Sequence, residues 1–266
     1  MKKIFVFLIA IFCSYIFAVE LKRDCYAIDE ENGIFMKKKD SKFYFLDLTP
    51  NSEEEIKNYF YDSYGYLQIE MDSDVYTLID GYFNYLFLND RTIYATLRKT
   101  PDGKDLFIPD GRLNGKNIFN VNASSVLIDK YHTYKPDGIK KVWAEGDIWW
   151  CWVKNNIPWV EGKTDDGIGE YIEFDVAESN KKELILSIIN GYVNPEKKHL
   201  FKENNRIKTA ELICDNKDKY IINFNDVVEM TEIKLTKNYK HMRLVIKEVY
   251  PGKKYSDTCI TAVMVK

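Results

Sequence analysis

Asn190-Gly191-Tyr192 and Asn205-Arg206-Ile207-Lys208 gather amide, cationic and aromatic side chains into two short runs. An asparagine offers a donor and an acceptor together, and a tyrosine offers a flat ring with a polar tip. Those are the groups that hold a sugar or a peptide chain, although a turn whose Tyr192 packs on a sheet edge explains the first run equally well. For Arg206 the favoured reading is an ion pair with Glu161 or Glu170 that orders loops. Trp149, Trp150 and Trp152 form a third cluster. Adjacent tryptophans in a strand point to opposite faces, so burying all three is difficult, and an exposed patch for sugar stacking or a protein partner is one reading. Trp159, by contrast, stands just before a long strand, where a tryptophan plugs a core.

Asp165, Asp166 and Glu170 carry hard oxygens of the kind Ca²⁺ takes, but their spacing is not an EF-hand, and a solvated acidic turn is the favoured reading. No other cofactor is expected. The chain has 3 His, at positions 132, 199 and 241, and none stands in an HExxH pattern. It holds no GxSxG elbow and no GxxxxGK loop. Gly162, Gly167 and Gly169 lack the strand-turn-helix context of a dinucleotide loop and instead suit positive φ or close sheet approach. No catalytic residue is expected, and the chain reads as a non-enzyme.

These groups need a frame, and composition points to β structure. Of 266 residues 45% are hydrophobic and 30% charged, enough for a folded core, and the 19 Tyr and 15 Phe favour strands. After about residue 170 apolar alternation recurs. Ile172, Phe174 and Val176 alternate with polar neighbours, Glu183 to Ile189 is almost wholly apolar, and Met242, Leu244 and Ile246 alternate again. Strands are also expected at 210–214, 220–224, 231–235 and 258–265, with no helix between them. Such a run reads as a two-sheet sandwich or jelly roll. Pro251-Gly252 at the centre of Tyr250 to Tyr255 predicts a type II turn, with Lys253 and Lys254 as a basic knob.

The stretch from Leu21 to about Asn120 breaks into short strand-like pieces at 43–48, 66–71, 75–79, 82–88 and 92–97, with turn residues between them, as in an antiparallel meander. Ser52 and Glu55 form a capping-box pattern that predicts a short helix over 52–62. The polar run 109–120 reads as a linker, with the boundary near Asn117.

Met1-Lys2-Lys3, the apolar run Ile4 to Phe12 and Ala18 together read as a signal peptide over 1–18. Cys13 is a poor lipid-attachment site because Phe12 precedes it. The expected location is therefore exported: periplasmic, cell-surface or secreted. No transmembrane segment is expected after cleavage. Losing Lys2 and Lys3 with the leader takes the formal net charge from −3 to −5. That balance argues against a nucleic-acid partner and against adsorption to anionic lipid. Cys25, Cys151, Cys214 and Cys259 remain in a compartment where disulfides persist, and Cys214 with Cys259 is the pairing favoured, against four free thiols.

One set of motifs is more specific. Ala123-Ser124-Ser125 is followed by Trp159-Val160-Glu161-Gly162, Asp166-Gly167-Ile168-Gly169-Glu170-Tyr171-Ile172, Ile189-Asn190-Gly191-Tyr192, Asn204-Asn205-Arg206-Ile207-Lys208 and Val249-Tyr250-Pro251-Gly252 through Thr258. In order and spacing this resembles the discoidin-like NADase-type glycan-binding domain over about 121–266. The resemblance implies a galactose-binding-like jelly roll that is secreted or surface-exposed. It also suggests a glycan or cell-surface ligand. Thr261-Ala262 departs from the family's Ser-Glu at that point. The chain is thus expected to be mainly β: a leader over 1–18, a small β-rich (α+β) domain of unknown purpose over 19–117, and the jelly-roll module over 118–266. Its ligand is expected at loops on one end of the module, through Trp149, Trp150, Trp152, Asn190, Tyr192, Asn205, Arg206 and Lys208. The alternatives are an adhesion protein meeting a protein partner through a Trp/Tyr patch, or an unrecognised hydrolase.

Overall fold

A computed structural model describes residues 25–29, 34–40, 42–47, 52–56, 58–70, 75–79, 85–88, 91–93, 96–99, 105–108, 118–141, 157–178, 183–194 and 197–265. Trp149, Trp150, Trp152 and Cys151 lie outside them, as do residues 1–18, where a leader is expected, and residues 109–117.

The chain is mainly β. Strands β1 (Cys25–Asp29), β2 (Ile34–Lys39), β3 (Lys42–Asp47) and β4 (Ser52–Glu55) form an antiparallel meander. A second meander joins β5 (Asn58–Tyr61), β6 (Leu67–Glu70), β7 (Val75–Ile79), β8 (Tyr85–Leu88) and β9 (Arg91–Ile93). The hairpin β10 (Thr96–Lys99) and β11 (Asp105–Ile108) follows. The strand expected over 92–97 is therefore two strands.

The helix expected over 52–62 is instead β4 and β5. Two of the three consecutive glutamates at this would-be helix start find partners across the strands instead. Glu53 meets Lys39 at 3.3 Å and Glu55 meets Lys42 at 2.9 Å. Ile56 is buried, and its N–H donates to Phe43 O at 2.8 Å. Cross-strand pairing and burial outweigh the local capping pattern.

From Ile118 onward nine strands join. They are β12 (Ile118–Ala123), β13 (Trp159–Val160), β14 (Tyr171–Val176), β15 (Leu184–Asn190), β16 (Asn205–Cys214), β17 (Asp218–Asn223), β18 (Met230–Leu235), β19 (His241–Tyr250) and β20 (Thr258–Val265). One layer runs β12-β14-β19-β16-β17 and the other β18-β15-β20-β13. They join where Asn205 and Arg206 pair in parallel with Thr258 and Cys259. This is the jelly-roll sandwich. The last residues of the expected linker, 118–120, belong to β12. Among the described residues two short helices occur where none was expected: α1 (Gly138–Lys141) and α2 (His199–Glu203).

Alternation builds the core. Ile172, Phe174 and Val176 of β14 and Met242, Leu244 and Ile246 of β19 are buried, facing Trp159, Leu186, Ile188 and Ile260. Trp159 is fully buried and its indole N–H donates to Ser125 O at 3.0 Å, as expected of a core plug. β15 sits between β18 and β20, and six of its seven residues are buried, which explains its apolar run.

The Cys214–Cys259 disulfide does not form: both thiols are free and buried. Cys259 pairs beside Arg206 at the start of β16, whereas Cys214 ends that strand. Eight strand residues separate those levels by about 26 Å, far beyond disulfide reach. Burial pushes the Cys214 thiol pKa up to about 12.

Candidate functional site at the loop end of the jelly roll

Four stretches of chain meet at one end of the sandwich: the loop 127–134, the segment leaving β15 at Tyr192, helix α2, and the turn 254–257 before β20. They enclose an open cleft of about 610 Å³ lined by the rings of Tyr134, Tyr192 and Tyr255, with Asp129, Asp257, Glu203, Lys254, His132 and His199 around them.

Backbone bonds sew the loop 127–134 onto β13. Leu127 N–H donates to Val160 O at 2.9 Å, and Ile128 and Thr133 form an isolated bridge. Asp129 closes the tip: its Oδ1 accepts the amides of Tyr131 and His132, both at 2.6 Å, and its Oδ2 accepts the Tyr134 hydroxyl at 3.0 Å. Those two amides, joined by the tyrosine, hold the Asp129 carboxyl below its ordinary pKa. Burial raises the Tyr134 phenol and pushes Tyr192 up to about 12, so both hydroxyls stay protonated at neutral pH. Asp257 is raised by burial.

Helix α2 and the 250s turn are locked together. The amides of Lys253, Lys254 and Tyr255 donate to the Lys202 and Glu203 carbonyls that end the helix. The expected type II turn is absent, because Gly252 does not have the positive φ it requires. Gly252 is needed for closeness instead: a Cβ there would lie 2.3 Å from Tyr255 O and 2.4 Å from Glu203 O. Lys254 reaches the cleft, 3.8 Å from Glu203 and 4.9 Å from the Tyr255 ring centroid.

Of the expected ligand residues that lie among the described residues, Tyr192 alone lines this cleft. Asn190 is buried, donating to Ile207 O at 2.7 Å and accepting Ile207 N–H at 3.0 Å, which ties β15 to β16. Asn205 is buried too. It donates to Asp166 and to Ser256 O and accepts the Gly252 amide. Arg206 pairs with Asp226 at 2.7 Å, not with Glu161 or Glu170, and donates to the Asn204 and Pro251 carbonyls. Its guanidinium lies 5.5 Å from the Phe201 ring and 6.0 Å from Tyr250. Lys208 forms an exposed pair with Glu248 at 2.8 Å. Asn190, Asn205 and Arg206 belong to the scaffold because the edges where β16 changes partner leave polar backbone that needs buried partners, whereas Lys208 is a solvated surface group.

The acidic turn is structural as well. Asp165 accepts the Gly167 amide, Asp166 accepts Asn205, and Glu170 accepts the Ser124 hydroxyl at 2.6 Å. Among the described residues no group of three metal-ligating side chains converges. Gly167 and Gly169 take φ of +68° and +93°, and at Gly162 a Cβ would lie 2.5 Å from Val126 O. Glu161 is fully buried, accepts the Lys163 and Thr258 amides, and is raised by burial. Thr261 donates to Gly191 O and accepts the Val193 amide, while Ala262 is buried opposite Ile189, so that departure from the family's acid falls outside the cleft.

A second hollow of about 520 Å³ lies by β12, β14 and β19. There His241 Nδ1 meets Asp175 at 2.9 Å, and Asp175 accepts Asn120 at 2.8 Å. Among the described residues no aromatic ring other than His241 lines it.

Residues 153–266 match the family described as the NAD glycohydrolase translocation F5/8 type C domain. This part of the chain is a discoidin-like domain of that family, and the resemblance read from sequence holds over those residues. Such domains are typically carbohydrate- or protein-binding. No curated protein matches the chain. Among solved structures it is similar to the arabinofuranosyltransferase AftD from Mycobacteria, at 14% identity and TM-score 0.36 over 55% of this chain and 10% of that one. Two structural classes of one mutant of the same enzyme give 13% and 0.38 over 65% of this chain and 13% of that one, and 12% and 0.37 over 55% and 11%. The chain thus spans about a tenth of the length of those proteins.

Proposed function

We propose that this chain is an exported, non-catalytic binding protein that recognises a glycan or other cell-surface ligand through the cleft at the loop end of its jelly roll. The observation that carries the reading is the meeting of Tyr134, Tyr192 and Tyr255 with Asp129, Asp257 and Lys254 in one open cleft. Sugars present apolar C–H faces to rings and hydroxyls to ionic and phenolic groups, and this lining offers both. Tyr192 supplies an O–H donor at neutral pH, whereas the Tyr134 hydroxyl donates to Asp129, which is ionised and held in place by its amide bonds. The family's binding character supports the same reading. Export rests on the leader-like start of the sequence.

A second reading has its own support. Ile128 and Tyr131, at the tip of the loop that walls the cleft, are 72% and 76% exposed. An apolar tip of that kind suits a protein partner, as would the Trp149, Trp150 and Trp152 cluster.

The test is a glycan array and a cell-wall pull-down with residues 19–266, alongside Tyr192→Ala and Trp149→Ala/Trp150→Ala variants. Selective binding lost in Tyr192→Ala supports the cleft. Loss only in the tryptophan variant moves the site there. Binding to a protein surface alone favours the adhesion reading. Turnover of a substrate, lost on changing a carboxylate, replaces both with a hydrolase.

A further inference from the structure

The turn between β5 and β6 lies outside the family-matched region, yet it is built into the module's loop end. Asp62 shapes it: Oδ1 accepts the amides of Tyr64 and Tyr66, both at 2.9 Å, and Oδ2 accepts Gln68 at 3.0 Å. Gly65 takes φ +88° and has its carbonyl free to receive Val228 N–H at 2.8 Å. Tyr66 is then delivered, fully buried, between the segment after β15 and helix α2.

Its hydroxyl does two things at one residue. It accepts the Asn194 amide at 3.1 Å and donates to the Asn194 carbonyl at 3.2 Å. Its ring meets Phe201 edge-on at 6.4 Å, and the Lys198 ammonium lies 5.7 Å from its centroid. Phe201 in turn packs against Gly191, where a Cβ would come within 2.7 Å. Every one of these contacts falls on residues 191–201, and the other side of that stretch faces the cleft through Tyr192, Lys197, His199 and Leu200.

We infer that Tyr66 is a positioning residue for the cleft, bracing the wall formed by residues 192–194 and 197–203 from behind. This rests on the reading of the cleft as the ligand site. It also gives the hairpin of residues 58–70 a purpose: it completes the binding end of a module that follows it in sequence. A wall held in one conformation before the ligand arrives loses less ordering entropy on binding.

The experiment uses the full chain and needs no ligand for its main reading. Amide hydrogen exchange is compared in the wild type, Tyr66→Phe and Tyr66→Ala. Tyr66→Phe keeps the ring and loses only the two bonds to Asn194. The expected result is a roughly two- to tenfold rise in exchange over 192–203 in Tyr66→Phe, larger in Tyr66→Ala, with β14 and β19 unchanged. Wild-type exchange over 192–203 in Tyr66→Ala, or faster exchange in every strand together, overturns the inference. In parallel, each variant is read on the same oligosaccharide array, with a two- to tenfold affinity loss expected for Tyr66→Phe. A wild-type chain that binds no sugar overturns the ligand reading alone, and the exchange pattern still decides whether Tyr66 braces the wall.

Discussion

Two polar regions lie side by side at the loop end of the jelly roll, and they are built on opposite plans. Along the seam between the layers, Asn190, Asn205 and Arg206 are buried and consumed by backbone and carboxylate partners. In the cleft, Tyr134, Tyr192 and Tyr255 are open to solvent on one side and held by loops. The seam carries the motif-like residues; the cleft carries the groups a ligand can reach. A conspicuous polar motif in a sandwich can therefore mark where the frame closes, while the residues around a ligand come from loops with no signature of their own.

The seam should break the fold when altered and the cleft should break binding. Arg206→Ala leaves Asp226 with Lys202 at 3.0 Å but removes the buried donor to the Asn204 and Pro251 carbonyls and the cation beside Phe201 and Tyr250; the expected loss is about 3 kcal/mol of stability by chemical denaturation. Asn190→Ala removes two buried bonds to Ile207, at about 2 kcal/mol in the same measurement. Tyr192→Ala should lower affinity at least about tenfold, or 1.4 kcal/mol, in a titration with whichever oligosaccharide the array selects. A seam variant that loses binding with its stability intact would erase the distinction.

Acid offers a finer probe. Asp129 is held below its ordinary pKa in the folded state. Its contribution is therefore present above the unfolded value of about 3.9 and is lost as pH falls through the depressed folded value. The loop 127–134 should loosen in that window, seen as faster exchange of the Tyr131 and His132 amides, and Asp129→Asn should abolish the pH step. Lys208→Ala should change least, with denaturation midpoint and binding both matching the wild type, because its pair with Glu248 is solvated.

Much of the frame was legible because burial leaves a period. The alternation in β14 and β19 and the apolar run of β15 follow directly from which faces are covered. Long-range partners left no such trace. Glu53 and Glu55 look like a helix start until Lys39 and Lys42 are seen across the hairpin. Pro251-Gly252 looks like a type II turn until α2 claims the following amides. Arg206 is visible as a buried-pair candidate, but Asp226 is not, because the β16–β17 hairpin returns it from a distance in sequence. In the cleft, Tyr192 was legible beside a strand end. Tyr134 and Tyr255 were not, since only the closed sandwich brings their loops together.

The most direct test of the cleft is nuclear magnetic resonance of ¹³C-tyrosine-labelled protein titrated with the selected oligosaccharide, with Tyr→Phe variants to assign the rings. The resonances of Tyr134, Tyr192 and Tyr255 should shift together and saturate at one affinity, while Tyr220 and Tyr239, paired with each other at 2.6 Å away from the cleft, stay in place. Saturable binding that leaves those three rings unmoved would contradict a ligand site in this cleft.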